Sequence, residues 1–124
     1  MQEKRIIKSK KLPEGFQFIS QAVNFGNLVF VSGQGPQDLG GDVRKQTIDT
    51  LEQIKLILEE AGTSMKNILK VTVYLSDMKN YNAMNEEYSK FFPKNPPART
   101  CVQASSPFGF KGQLVEIDAI AAIL

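Results

Sequence analysis

The sequence predicts an α+β fold: a single mixed sheet with two helices on one face, in the order β-β-β-α-β-α-β-β. Three observations predict it. Three strand-like segments come before any helical pattern, two segments with helical spacing then alternate with strands, and the right-handed rule for β-α-β crossovers sends both helices to the same face. A chain of 124 residues, 42% of them hydrophobic, suffices for one core, so a single domain over 1–124 is expected.

The opening strands are read at 5–9, 18–24 and 28–32, with Asn24-Phe25-Gly26-Asn27 turning the second into the third. Asp42 stands as N-cap of a helix whose inward positions, Val43, Thr47, Leu51, Ile54, Leu58 and Ala61, recur every three to four residues, and Gly62 supplies the C-cap. The segment 68–75 alternates and is β-branched, placing Leu69, Val71, Val73 and Leu75 on one face. A second helix starts near Met78, stacks Tyr81, Met84, Tyr88 and Phe91, and is ended by Pro93. The last strands are read at 98–104 and 113–123, separated by a loop with Pro107, Gly109 and Gly112.

Leu28-Val29-Phe30-Val31 is apolar on both faces, and the final strand carries Leu114 and Ile120 on its helix-free side. That face needs a cover. With both helices spent on the first face, a second copy of the chain is the simplest one, which predicts a closed homo-oligomer.

Composition narrows the chemistry. A net charge of +2 gives little reason to expect nucleic acid or an anionic membrane as partner. No apolar run is long enough to span a bilayer, and the basic N-terminal segment lacks the apolar core of a secretory signal, so a cytoplasmic protein is expected. The absence of histidine removes serine–histidine and cysteine–histidine pairs and most zinc sites, and a lone Cys101 allows neither an intrachain disulfide nor a thiolate metal centre. Catalysis would have to run on carboxylates, arginine, hydroxyls, backbone groups or one thiol.

Two charges stand out. In an extended strand Arg99, Cys101 and Gln103 share one side, and in the last strand Glu116 and Asp118 interrupt Val115, Ile117 and Ala119. An acid-bearing strand beside an arginine-bearing one suggests a cation and an anion meeting on one face. Arg99 reads either as a strand-end charge, paired with an acid or lying on an exposed face, or as a planar fork for a carboxylate. Glu116 reads either as a wet edge charge or as a desolvated carboxyl able to hold water or move a proton. Cys101 fits a small buried hydrophobe better than a nucleophile, since no histidine activates it. A glycosidase-type pair of Glu116 and Asp118 lacks a sugar-stacking tryptophan. Gly33-Gln34-Gly35 reads as a plain turn whose amides could still contact a ligand, Ser32 as a turn or pocket hydroxyl, and Asn85 as a solvent-facing helix residue.

Ser20-Gln21-Ala22, Val31-Ser32-Gly33-Gln34, Lys70-Val71-Thr72-Val73, Asn85-Glu86-Glu87-Tyr88, Phe91-Phe92-Pro93, Pro97-Ala98-Arg99-Thr100-Cys101-Val102-Gln103 and Leu114-Val115-Glu116-Ile117-Asp118-Ala119 follow one another along nearly the whole chain. In that order they resemble the RidA/YjgF family of reactive-intermediate deaminases. It implies a chorismate-mutase-like protomer, a homotrimer with active sites at subunit interfaces, and cofactor-free hydrolysis of 2-aminoacrylate and 2-imino acids such as 2-iminobutanoate and 2-iminopropanoate to 2-oxo acids and ammonia. It further implies that Arg99 binds the substrate carboxylate, Glu116 positions the attacking water, Cys101 contributes its backbone, and Ser32, Gly33 and Asn85 line the pocket. Ile19 stands where active members carry a pocket tyrosine, the loop after Gln34 is shorter, and the loop 105–112 is longer, with Phe108 and Phe110 added. The rival reading is a non-catalytic trimer of the same fold that binds a small carboxylate or a partner. A nucleic-acid-cleaving role draws little from the net charge.

Overall fold

The computed structural model describes residues 3–105 and 109–124; Pro107 and Phe108 lie outside the described residues. Its strands are β1 (Arg5–Ile7), β2 (Ala22–Phe25), β3 (Leu28–Gln34), β4 (Ile68–Leu75), β5 (Ala98–Gln103) and β6 (Val115–Ala122); its α-helices are α1 (Val43–Ala61) and α2 (Tyr81–Ser89). They form one sheet in the order β1-β2-β3-β6-β4-β5, antiparallel except where β4 pairs with β5.

The caps of α1 fall where the sequence places them. Asp42 accepts a hydrogen bond from the Lys45 N–H at 3.0 Å. Gly62, at φ 89°, occupies the left-handed region that a side chain disfavours, and its N–H reaches the Glu59 carbonyl at 3.1 Å. All six predicted inward positions of α1 are buried. Leu51, Ile54 and Leu58 are fully enclosed with Val71 and Val73 of β4 and Ile117 and Ala119 of β6, each large side chain contributing roughly 1.5–3 kcal/mol by leaving water. Met84 and Tyr88 bring α2 onto the same core. Buried Glu87 ties the helices together, accepting from Arg44 of α1 and from Lys90, both at 2.9 Å.

Local chemistry shortens several predicted strands. β1 ends at Ile7 because the Ser9 N–H is taken by the Gln21 side chain at 2.7 Å instead of the sheet ladder. β2 begins at Ala22, not at 18: residues 16–19 turn, with the Ile19 N–H on the Phe16 carbonyl and Phe16 stacked on Phe18 at 5.2 Å. β3 runs on to Gln34 through a bulge, and the helical part of α2 stops before Phe91.

Three expectations about faces are corrected. A bulge between Ile68 and Lys70 shifts the side-chain alternation, so Ile68 turns inward with Val71, Val73 and Leu75 while Leu69 is 50% exposed. Leu114 precedes β6 and packs against the helix-side core, leaving Ile120 paired with Phe30 on the helix-free face. Most important, β5 does not lie beside β6. β4 separates them, with Val71 in register with both Arg99 and Ala119, and Tyr74 with both Val102 and Glu116. Residues in register share a face. Arg99 therefore projects on the helix-covered side with Val71 and Ala119, and Glu116 on the open side with Tyr74 and Val102.

Candidate functional site

The predicted site residues fall into two groups on opposite faces. The first surrounds Arg99. One terminal nitrogen of its guanidinium donates to the Tyr81 hydroxyl at 3.3 Å, and the other approaches the Met84 sulfur at 3.9 Å. The group lies 4.8 Å from the Tyr88 ring centre and 5.7 Å from that of Tyr81. Among the described residues no carboxylate comes within 4.0 Å of Arg99. Its partners are two aromatic rings, a hydroxyl and a thioether, so its charge is left uncompensated and the ion-pair reading fails. Cys101 lies two residues on, on the same face and packed against the core. Burial pushes its thiol above the usual range, and nearby Arg99 offsets only part of that rise, which keeps it protonated at neutral pH. Asn85 stands one turn of α2 from both Tyr81 and Tyr88. Its Oδ1 is buried with no hydrogen-bond partner, contrary to the solvent-facing reading. β5 is the sheet's edge strand and, among the described residues, pairs only with β4.

The second group surrounds Glu116. Its carboxylate lies in an open cleft of about 790 Å³ that also receives Ser32, Gly33 and Ile19. The bulge in β3 creates this corner: Val31 pairs with Ala119 and Gln34 with Ile117, so one extra residue of β3 stands opposite β6. The Ser32 hydroxyl donates to the Ser20 carbonyl at 2.6 Å and its N–H to the Gln21 carbonyl at 2.9 Å, fixing the turn that carries Ile19. Gly33 has no side chain because Glu116 fills the space one would need. Burial raises the Glu116 pKa above its ordinary value; a hydrogen bond from Gln113 lowers it, and the nearby Asp118 charge raises it further. Asp118 shares the open face, as predicted, but its Oδ2 accepts from the Tyr74 hydroxyl at 3.0 Å, tying it to the sheet. No lysine or arginine nitrogen among the described residues lies within 4.0 Å of Glu116. Leu12, Phe16, Leu39 and Phe110 form the cleft's apolar wall.

Arg99, Cys101 and Asn85 do not line this cleft. A cation without an anion and a carboxyl without a cation thus sit on opposite faces of one sheet. In the sequence Tyr81 and Tyr88 read only as packing residues, and no pattern there points to the hydrogen bond from Gln113 to Glu116. The seven-residue spacing of the two tyrosines, two helical turns, was the available signal for a shared face.

Residues 10–123 match the sequence profile of the family described as Endoribonuclease L-PSP. The chain belongs to this family, YjgF/RidA. A RutC family protein of Pyrococcus abyssi is 43% identical over 125 residues, covering 95% of this chain and 96% of that one. TdcF of Escherichia coli K12, provisionally named a reactive intermediate deaminase, is 36% identical over 95% of this chain and 96% of its own. The crystal structure of E. coli TdcF with bound serine superposes with a TM-score of 0.87 at 34% identity, covering 95% of this chain and 98% of that one. The RidA fold is thus shared at full length, and at least one relative holds a small amino acid.

Proposed function

We propose that this RidA-family chain hydrolyses 2-imino acids, including 2-iminopropanoate formed from 2-aminoacrylate and 2-iminobutanoate, to 2-oxo acids and ammonia, in sites assembled between copies of a homotrimer. The observation that carries the reading is the complementarity of the two incomplete groups. A carboxylate fits the unneutralised Arg99 fork, and water fits beside the desolvated Glu116 carboxyl. Because the two side chains occupy opposite faces, one chain cannot bring them to one substrate, and a second copy must supply the other half. Phe30 and Ile120 on the helix-free face give that copy an apolar surface to cover.

In this mechanism Arg99 holds the substrate carboxylate by two N–H donors, and the C2 carbon of the protonated imine faces a water held by Glu116. The water oxygen bonds to C2, the C=N π pair moves to nitrogen, and Glu116 accepts the water's proton. Returning that proton to the nitrogen lets the C–N bond break with release of ammonia, while the hydroxyl gives its remaining proton back to the Glu116 carboxylate and becomes the 2-oxo group. An imine is already electrophilic, so orientation and one proton shuttle suffice, and no step calls on Cys101. The serine bound by TdcF carries the same carboxylate and supports a small-molecule occupant. The endoribonuclease description of the family gains no support from a net charge of +2.

The test generates 2-aminoacrylate and 2-iminobutanoate with a dehydratase and times 2-oxo acid release with and without this protein. Acceleration that is lost in Arg99→Ala supports the reading. Binding of 2-oxobutanoate without acceleration would favour the non-catalytic carboxylate-binding trimer.

A further inference from the structure

The arginine fork rests on aromatic groups, and the geometry assigns them a role that deepens the proposed deaminase reading and rests on it. Tyr88 is buried, and its ring packs against buried Phe92 at 4.7 Å between centroids, so its position is set by the core and not by solvent. The Arg99 guanidinium lies 4.8 Å from the centre of that ring. The Tyr81 hydroxyl, seven residues earlier on the exposed end of the same helix face, accepts from one terminal nitrogen at 3.3 Å. Arginine positioned in this way usually answers to an acid, yet among the described residues none lies within 4.0 Å. A carboxylate partner would orient the fork but would also compete with the ligand for its donors. A ring face orients the planar group and uses none of its five N–H donors, and a phenol hydroxyl uses one.

We propose that Tyr88 and Tyr81 are positioning residues of the carboxylate clamp: they hold Arg99 in a fixed plane with its charge unspent, so that the remaining donors meet the carboxylate of a 2-oxo or 2-imino acid without first leaving an internal anion. Tyr88 acts through its ring and Tyr81 through its hydroxyl.

The experiment compares Tyr88→Leu, Tyr88→Phe and Tyr81→Phe, reading the Kd for 2-oxobutanoate by calorimetry and the KM and kcat of imine hydrolysis. Tyr88→Leu raises Kd and KM about 5- to 30-fold, the span of a partly to well desolvated cation–ring contact, with kcat much less affected, while Tyr88→Phe stays within about 2-fold of the wild type. Tyr81→Phe weakens binding by a smaller factor. A loss caused only by damaged packing is separated by a double-mutant cycle: with Arg99→Ala already in place, Tyr88→Leu lowers kcat/KM no further. Unchanged binding in a folded Tyr88→Leu protein, equal losses in Tyr88→Leu and Tyr88→Phe, or additive losses with Arg99→Ala would each overturn the assignment. If Arg99→Ala itself binds 2-oxobutanoate as the wild type does, the clamp is wrong and the positioning role falls with it. Loss in Arg99→Ala without loss in Tyr88→Leu removes the positioning role alone.

Discussion

Gly33 and Glu116 are packed so closely that a Cβ built on Gly33 would stand 2.5 Å from the Glu116 carboxylate oxygen Oε2 and 3.0 Å from its Cδ. The obstructing atoms are the end of a flexible side chain, so an alanine there displaces the carboxylate instead of breaking the sheet. Gly33→Ala should therefore fold with near-normal thermal stability while its turnover of imines falls about 10- to 100-fold, the usual cost of moving a catalytic group by an ångström. Steady-state kinetics beside a thermal melt checks this, and normal turnover would show that the position of Glu116 does not matter.

Burial raises the Glu116 pKa, and the direction fixes the pH profile. Only the carboxylate can accept a proton from water, so kcat/KM should fall as pH drops through a limb lying above 4.5, the ordinary glutamate value. Glu116→Gln should lower turnover about 10²- to 10⁴-fold and abolish the limb. The same shift has a stability consequence. A carboxyl whose folded pKa is raised favours folding below its unfolded pKa and loses that contribution as pH rises through the folded one, so Glu116→Gln should melt no lower than the wild type at neutral pH. A limb at or below 4.5 in the wild type would remove Glu116 as the base.

Glu87 carries the opposite sign. Hydrogen bonds from Lys90 and then Arg44 hold its pKa below the usual 4.5. Its contribution is present above the ordinary glutamate pKa and lost as pH falls through the lowered folded value. Glu87→Gln should reduce the melting temperature at pH 7 and converge with the wild type in acid. Melts from pH 7 to 3 test it, and a constant difference would mean that the link between α1 and α2 is not electrostatic.

Cys101 should be dispensable as a thiol. Its raised pKa keeps the nucleophilic thiolate scarce at neutral pH. Cys101→Ala and Cys101→Ser should retain most activity, with slow alkylation of the wild type by iodoacetamide. Complete loss of turnover in a folded Cys101→Ala protein would restore the covalent alternative.

Much of this molecule was legible in its residues, for identifiable reasons. The caps at Asp42 and Gly62 are local and read directly, as is the inward stripe of α1. The end of β1 and the start of β2 were not: Gln21 takes the Ser9 N–H through a side chain that no periodicity reveals, and residues 16–19 turn with the Ile19 N–H on the Phe16 carbonyl. Strict alternation puts Leu69 on the wrong face because one bulge inverts the pattern of the strand. Arg99 and Glu116 stand out in the sequence as a cation and an anion within strand segments. Placing them on one face failed because adjacency in sequence order says nothing of β4 inserting between β5 and β6. Helical spacing alone reads Asn85 as solvated, and only three-dimensional packing shows its Oδ1 enclosed without a partner.

The opposite placement of Arg99 and Glu116 yields the most direct test of the account, because it requires each site to draw the two residues from different copies. Arg99→Ala and Glu116→Gln chains, each nearly inactive as a homotrimer, are coexpressed with different tags and purified through both, so that every trimer contains both kinds of chain. Cyclic symmetry then leaves one site in each mixed trimer with an intact arginine and an intact glutamate, and imine hydrolysis should recover to about one third of the wild-type rate. Mixed assemblies no more active than the separate variants would contradict the shared site.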